Sequence, residues 1–239
     1  METYQNTQSP PPPARHTEPS WLASLDDDVG PTAPLVTLAL DAARLALSGA
    51  VQLPEHTEGY SDRQWANLWP GEHYRLLRGL VMLLNPQVIV EVGTSTGLGT
   101  YTLARAQSQG ETHTFDLLPW DSFPSYLSTE FMASQNVTQH LADLQDPGVF
   151  EQYRPLLTSA NLIFCDGPKD RVFEPKFLEN LTTLQPSGQP RLLVMDDIRF
   201  DHMCTTWRSI KSPKMDITSF GHWSGTGLVD ITDGLTLGS

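Results

Sequence analysis

Five short apolar runs, four of them ending at or beside an acidic residue or a glycine, constrain this chain more than any other feature. They are QVIVEVG from Gln87, THTFD (112–116), VTQHLA (137–142), NLIFCD (161–166) and RLLVMDD (191–197). QVIVEVG is a nearly continuous β-branched run closed by glycine, the pattern of a strand buried on both faces. The segments between the runs can each hold a helix, so the expectation is an α/β domain with a parallel sheet. Near the C-terminus, KMDITSF and GLVDIT are joined by the Gly-rich GHWSGT, which predicts two closing antiparallel strands. In open parallel sheets ligands lie outside the carboxyl ends of the strands. Glu91, Gly93, Asp116, Asp166, Asp196 and Asp197 stand at those ends, so chemistry is expected there.

Two helices are expected ahead of the sheet. Pro34 opens LVTLALDAARLALSG, in which Leu35, Leu38, Ala42, Leu45 and Ala46 recur at helical spacing before Gly49. Between Ser61 and Pro86, Tyr74, Leu77, Leu80, Val81 and Leu84 share one helical face, and Pro70 and Gly71 mark a break. Residues 31–86 are therefore read as helices that lean on the main domain, with Trp65, Trp69 and Tyr74 open to a role in a lid, in core packing or in a dimer contact. Residues 1–30, with the Pro10 to Pro13 run and the Asp26 to Asp28 triplet, cannot form a packed core and are read as a flexible tail.

Composition removes several classes of function. With 39% hydrophobic and 18% charged residues the chain can bury a core. The 15 Lys plus Arg against 28 Asp plus Glu give a net charge of -13, which repels phosphate backbones and anionic lipid. No nucleic acid and no membrane partner is expected. Cys165 and Cys204 stand alone, outside disulfide or zinc-ligand patterns. The first twenty residues lack a secretory pattern, and no run approaches a membrane span. A cytoplasmic protein is the resulting expectation.

EVGTSTGLG, from Glu91 to Gly99, follows a strand and opens a helix, where turn glycines and free N–H groups admit a cofactor closely. Its spacing is G-x-x-x-G-x-G, unlike a dinucleotide fingerprint or a phosphate-binding loop. Asp116, at the end of the second run, can accept hydrogen bonds from the two hydroxyls of a ribose. Together they point to a nucleoside-containing ligand.

VIVEVGTSTGLGT and THTFD resemble the first and second motifs of the class I S-adenosylmethionine-dependent methyltransferases, and the resemblance runs from about Val88 to the C-terminus. It implies a doubly wound, mostly parallel seven-stranded sheet of Rossmann-like form over residues 87–239. It also implies that S-adenosylmethionine is held by Glu91, Gly93, Thr94 and Gly97 at its methionine part, by Asp116 at its ribose, and by Asp143 with Leu144 at its adenine. IFCDGPKD and LLVMDDI further resemble the metal-dependent O-methyltransferases of the catechol and antibiotic-tailoring types. Carried across, that resemblance makes Asp166, Asp196 and Asp197 ligands of Mg2+, with Lys169 at the position of the catechol-type general base. The pair here is Asp-Asp, where the catechol type has Asp-Asn and the antibiotic-tailoring type Glu-Asp. Asp166, Lys169 and His222 are thus the candidate catalytic residues, with His202, Trp207 and Trp223 near the same end. His16, His56, His73, His113 and His140 fall in no metal-ligand spacing and receive no role.

The implied function is methyl transfer to a hydroxyl of a small molecule, as in secondary metabolism, by a chain that could be a homo-oligomer. The alternatives are a metal-independent O- or N-methyltransferase and a non-catalytic adenosine-ligand binding module.

Overall fold

Each of the five apolar runs is a strand. β1 (Val88–Val92), β2 (Glu111–Asp116), β3 (Val137–Leu141), β4 (Leu162–Cys165) and β5 (Leu192–Asp196) pair in parallel, and β7 (Thr226–Asp230) runs antiparallel to both β5 and β6 (Lys214–Asp216). The order across the sheet is β3-β2-β1-β4-β5-β7-β6. The expected seven-stranded, mostly parallel, doubly wound sheet with an antiparallel C-terminal pair is therefore present. The computed structural model describes residues 29–68, 73–107, 109–186, 188–200 and 202–238. The expected tail lies outside them up to residue 28, as do Trp69, Pro70 and Gly71.

Among the described residues eight helices flank the sheet: α1 (Ala33–Ser48), α2 (Tyr74–Leu84), α3 (Leu98–Ala106), α4 (Thr129–Ser134), α5 (Pro147–Gln152), α6 (Arg154–Ser159), α7 (Phe173–Thr182) and α8 (Met203–Ser209). Side chains alternate across each strand. Ile89, Leu162, Phe164, Leu192, Val194 and Leu228 face α1 and α2 in one core. Val90, Ile163, Cys165, Leu193, Met195 and Val229 face α7 and α8 in the other. The two N-terminal helices thus share the core of the sheet.

α1 is capped by the Thr32 side chain, which accepts from Leu35 N, and Pro34 sits in its first turn where no N–H is needed. Its buried face differs from the one its leucines imply. Leu35, Ala39, Ala42, Ala43 and Ala46 are buried, while Leu38 and Leu45 are half-buried. The reason is the close approach of α2, whose Gly79 would place a Cβ 2.5 Å from Ala42 O. Gly79→Ala should accordingly cost about 1–3 kcal/mol in urea denaturation, and an unchanged midpoint would show that the helices can separate freely.

The strand order reverses between β1 and β4, since β1 is flanked by β2 on one side and β4 on the other. A cleft opens at the carboxyl ends there, as such sheets require.

Candidate active site

The loop after β1 is built around Gly93. Its φ is 103°, and a Cβ would meet Asp166 O at 2.0 Å, so the loop can pass the end of β4 only as glycine. Ser95 follows at φ 46° and donates its N–H to Asp116 Oδ2 at 2.9 Å. Asp116 Oδ1 accepts from Leu117 N at 2.7 Å and Leu118 N at 3.1 Å. Three backbone donors thus fix this carboxylate at the rim, and a spare lone pair remains on Oδ2.

A cleft of about 680 Å³ runs from this rim to the end of β4. Val92, Phe115, Leu117, Leu118, Ala142 and Phe173 give it apolar walls, and Ser95, Asp116, Asp143, Gln145, Asp166 and Asp170 are its polar members. That size and mixture suit a small organic ligand. Asp143 accepts from Gln145 N at 3.1 Å and Gln145 Nε2 at 2.6 Å.

Three of the residues assigned to the cofactor stand differently from expectation. Leu144 is buried in the core beside Phe150 and Leu157 and does not line the cleft, because it points to the opposite side of the chain from Asp143. The Thr94 side chain is turned into the sheet, where Oγ1 lies 2.7 Å from Thr114 Oγ1 and accepts from Gln139 Nε2 at 3.2 Å. Glu91 is fully buried under α3 and accepts from the hydroxyls of Thr100 and, at 2.7 Å, Thr114. Both residues border a second, smaller cavity that also meets Asp62, Trp65, Tyr74 and Asp166. Gly97, at φ 80°, opens α3 as its N-cap.

Burial pushes the Glu91 carboxyl up to about 8, against the pull of the two threonine hydroxyls. An acid raised in the folded state gives stability that is complete below its unfolded value near 4.5 and is lost as pH rises through about 8. Glu91→Gln should therefore gain on the wild type steadily between pH 5 and pH 8 in chemical denaturation. A pH-independent difference would contradict this burial.

The second strand-end cluster gathers at β4 and β5. Ligand atoms of Asp166, Asp196 and Asp197 lie within 4.8 Å of one another, and so do those of His73, Asp196 and His222. Asp196 has the same side-chain parity as Leu192 and Val194, so it points toward the α1–α2 layer. There His73, at the start of α2, places Nδ1 3.2 Å from Asp196 Oδ1, and His222 places Nδ1 3.1 Å from the same oxygen. Burial works to protonate Asp196, but the two imidazoles outweigh it and hold the carboxyl well below its ordinary range. Asp197 sits at φ 59° and caps no helix; the Ser224 hydroxyl donates to its Oδ1. The residue that precedes α8 is His202.

Lys169 lies among the carboxylates, donating to Gly167 O at 2.8 Å and Asp166 Oδ1 at 3.2 Å, with Asp197 Oδ2 at 3.7 Å. Its titration runs opposite to that of a base. Burial favours the neutral amine, but Asp166, Asp196 and Asp197 prevail and raise it above the ordinary lysine value. Asp166 is raised by burial and by Asp196, although about a third of its side chain is exposed at 35%. Of the three aspartates in this cluster, only Asp166 lines the described cavities.

His73 was given no role by spacing. It is separated from Asp196 by 123 positions, so no local pattern could announce it. Ser224 likewise joins only through the β6–β7 connection.

No family model matches the chain, and no curated protein matches it. Among solved structures it is similar to a methyltransferase from Geobacter sulfurreducens, with 17% identity over 80% of this chain and 100% of that one and a TM-score of 0.47. It is also similar to the O-methyltransferase TomG from Streptomyces achromogenes, involved in tomaymycin synthesis and solved in complex with SAM, with 18% identity, 88% and 92% coverage and a TM-score of 0.43. A fibrillarin pre-rRNA processing protein from Methanococcus jannaschii follows at 15% identity, 65% and 68% coverage and a TM-score of 0.43. These likenesses concern the path of the chain and are too remote to carry the role of any residue across.

Proposed function

We propose that the protein is an S-adenosylmethionine-dependent O-methyltransferase acting on a hydroxyl of a small molecule. The observation that carries the reading is the single cleft that joins the backbone-fixed Asp116 at one end to Asp166 at the other, across the Gly93 loop. A nucleoside needs a ribose acceptor, an apolar slot and close backbone approach, and the Asp116 carboxylate, the apolar walls and the Gly93 turn support the reading on each count. Asp116 would accept from the ribose hydroxyls, Leu117, Leu118 and Ala142 would flank the base with Asp143 at its edge, and the Gly93 turn would pass close to the sulfonium end.

Methyl transfer needs an acceptor oxygen held in line and relieved of its proton. Asp166 is the group placed to take that proton, since it borders both the large cleft and the small cavity under Trp65. Lys169, held as an ammonium, would orient Asp166 and favour its charged form, so that the proton passes on to solvent at the exposed part of Asp166. A divalent cation at Asp196 completes the proposal; with Asp166 and Asp197 it would have the all-oxygen surroundings that Mg2+ takes. Such an ion lowers the pKa of a bound hydroxyl.

Lys169 lies among these carboxylates where a cation would otherwise compensate them, which favours a second reading, methyl transfer without metal. Turnover of methyl-labelled S-adenosylmethionine against a panel of hydroxylated acceptors, run with Mg2+ and with EDTA, tests both. Activity lost in EDTA supports the cation; activity kept in EDTA selects the second reading; saturable cofactor binding with no transfer to any acceptor would leave a binding module.

A further inference from the structure

The cation at Asp196 has a second set of donors open to it. His73 approaches from α2 and His222 from the β6–β7 connection, and both turn Nδ1 to the one oxygen Oδ1. His222 Nδ1 also lies 3.3 Å from Asp197 Oδ1 and 2.7 Å from Ser224 Oγ. The Ser224 hydroxyl donates to Asp197 Oδ1, and an imidazole nitrogen carries at most one proton, so His222 Nδ1 can donate fully to one of the two carboxylate oxygens. The separations are informative as well. Charge-assisted N–H···O bonds run at about 2.7–2.9 Å, and the three imidazole–carboxylate distances, 3.2, 3.1 and 3.3 Å, are all longer. Neighbouring ligands around one ion with bonds of about 2.1 Å stand roughly 3.0–3.4 Å apart, and the two separations from Asp196 Oδ1 fall in that range.

The surroundings fit a built centre. His73 and Asp196 are 2% and 3% exposed, and the His73 ring packs between Tyr74 and Phe164. His73 Nε2 is buried without a hydrogen-bond partner among the described residues, while Nδ1 faces Asp196. His222 is fixed by its own N–H, which donates to Thr226 Oγ1 at 2.7 Å.

We propose that His73, Asp196 and His222 form a site for a first-row divalent transition metal such as Mn2+, Fe2+, Co2+ or Zn2+. Two imidazoles and a carboxylate suit these ions, whereas Mg2+ takes oxygen ligands and sheds water reluctantly. Neither cysteine belongs to the group, so a soft-metal site is not formed. The inference rests on the methyl-transfer reading of this end and replaces its all-oxygen cation site: an ion on the histidine side of Asp196 leaves Asp166 to the cleft and to Lys169.

The test is a Co2+ titration of the metal-free full chain without S-adenosylmethionine, read by visible absorbance. Saturable binding is expected, weakened at least roughly tenfold in His73→Gln and in His222→Gln, and nearly unchanged in Asp166→Asn. A large excess of Mg2+ should not displace the Co2+. Pulsed electron paramagnetic resonance of the Mn2+-loaded wild type needs no variant, and imidazole nitrogen couplings are expected there. The proposal is overturned by absent nitrogen couplings, by displacement with Mg2+, by no saturable Co2+ binding, or by loss of binding in Asp166→Asn alone. Because the cofactor is left out, failure here leaves the methyl-transfer reading standing, and failed cofactor binding leaves this one standing.

Discussion

Asp196→Ala is expected to destabilise the fold by about 3–5 kcal/mol in metal-free buffer, the usual cost of removing one partner from a buried ion pair. The carboxylate is 3% exposed and faces two imidazoles, so its loss leaves His73 desolvated with no counter-charge. The cost should depend on pH in a specific way. Asp196 is depressed in the fold, so its contribution is present above its unfolded value of 3.8. His73 starts from burial, which favours the neutral ring, but Asp196 raises it above 6.5, so its contribution is complete below 6.5 and is lost as pH rises through its folded value. The gap between wild type and variant should thus be widest between about pH 4 and 6.5 and should narrow on the alkaline side. Urea denaturation at pH 6 and at pH 8.5 measures both ends. An equal loss at the two values would mean that the His73–Asp196 pair is not charged in the fold.

The second large effect belongs to Asp116. If its carboxylate holds the ribose, Asp116→Ala should weaken S-adenosylmethionine binding roughly 10- to 150-fold, the value of a hydrogen bond to a charged group. The variant also releases the N–H groups of Ser95, Leu117 and Leu118. Asp116→Asn separates the two effects, since its amide oxygen can still accept from the loop while the charge is gone. Intermediate affinity in the Asn variant, read by calorimetry, fits the ribose role. Wild-type affinity in the Ala variant would move the ribose elsewhere.

The two fates of the sequence reading have physical reasons. The strands were legible because a parallel sheet is covered on both faces, so β1, β4 and β5 are apolar almost without interruption. Asp116, Asp166, Asp196 and Asp197 were legible because a carboxylate after such a run stands at the end of a strand. Leu144 lies in the turn after β3, where its side chain packs into the core while Asp143 and Gln145 line the cleft. The titration of Lys169 depends on how many carboxylates converge from β4 and β5, which spacing around one lysine does not record. His73 escaped because α2 and β5 meet only through the packing of α1 and α2 on the sheet. The same packing explains why the buried face of α1 falls on its alanines, since Gly79 brings α2 against Ala42.

The central claim is that the cleft between Asp116 and Asp166 binds S-adenosylmethionine. A calorimetric titration of the folded protein with S-adenosylmethionine, in Mg2+ and again in EDTA, tests it most directly. Saturable binding in the micromolar range in both buffers is the predicted result, with any metal dependence confined to turnover. A folded sample that takes up no cofactor in either buffer would contradict the account and leave the cleft to a different ligand.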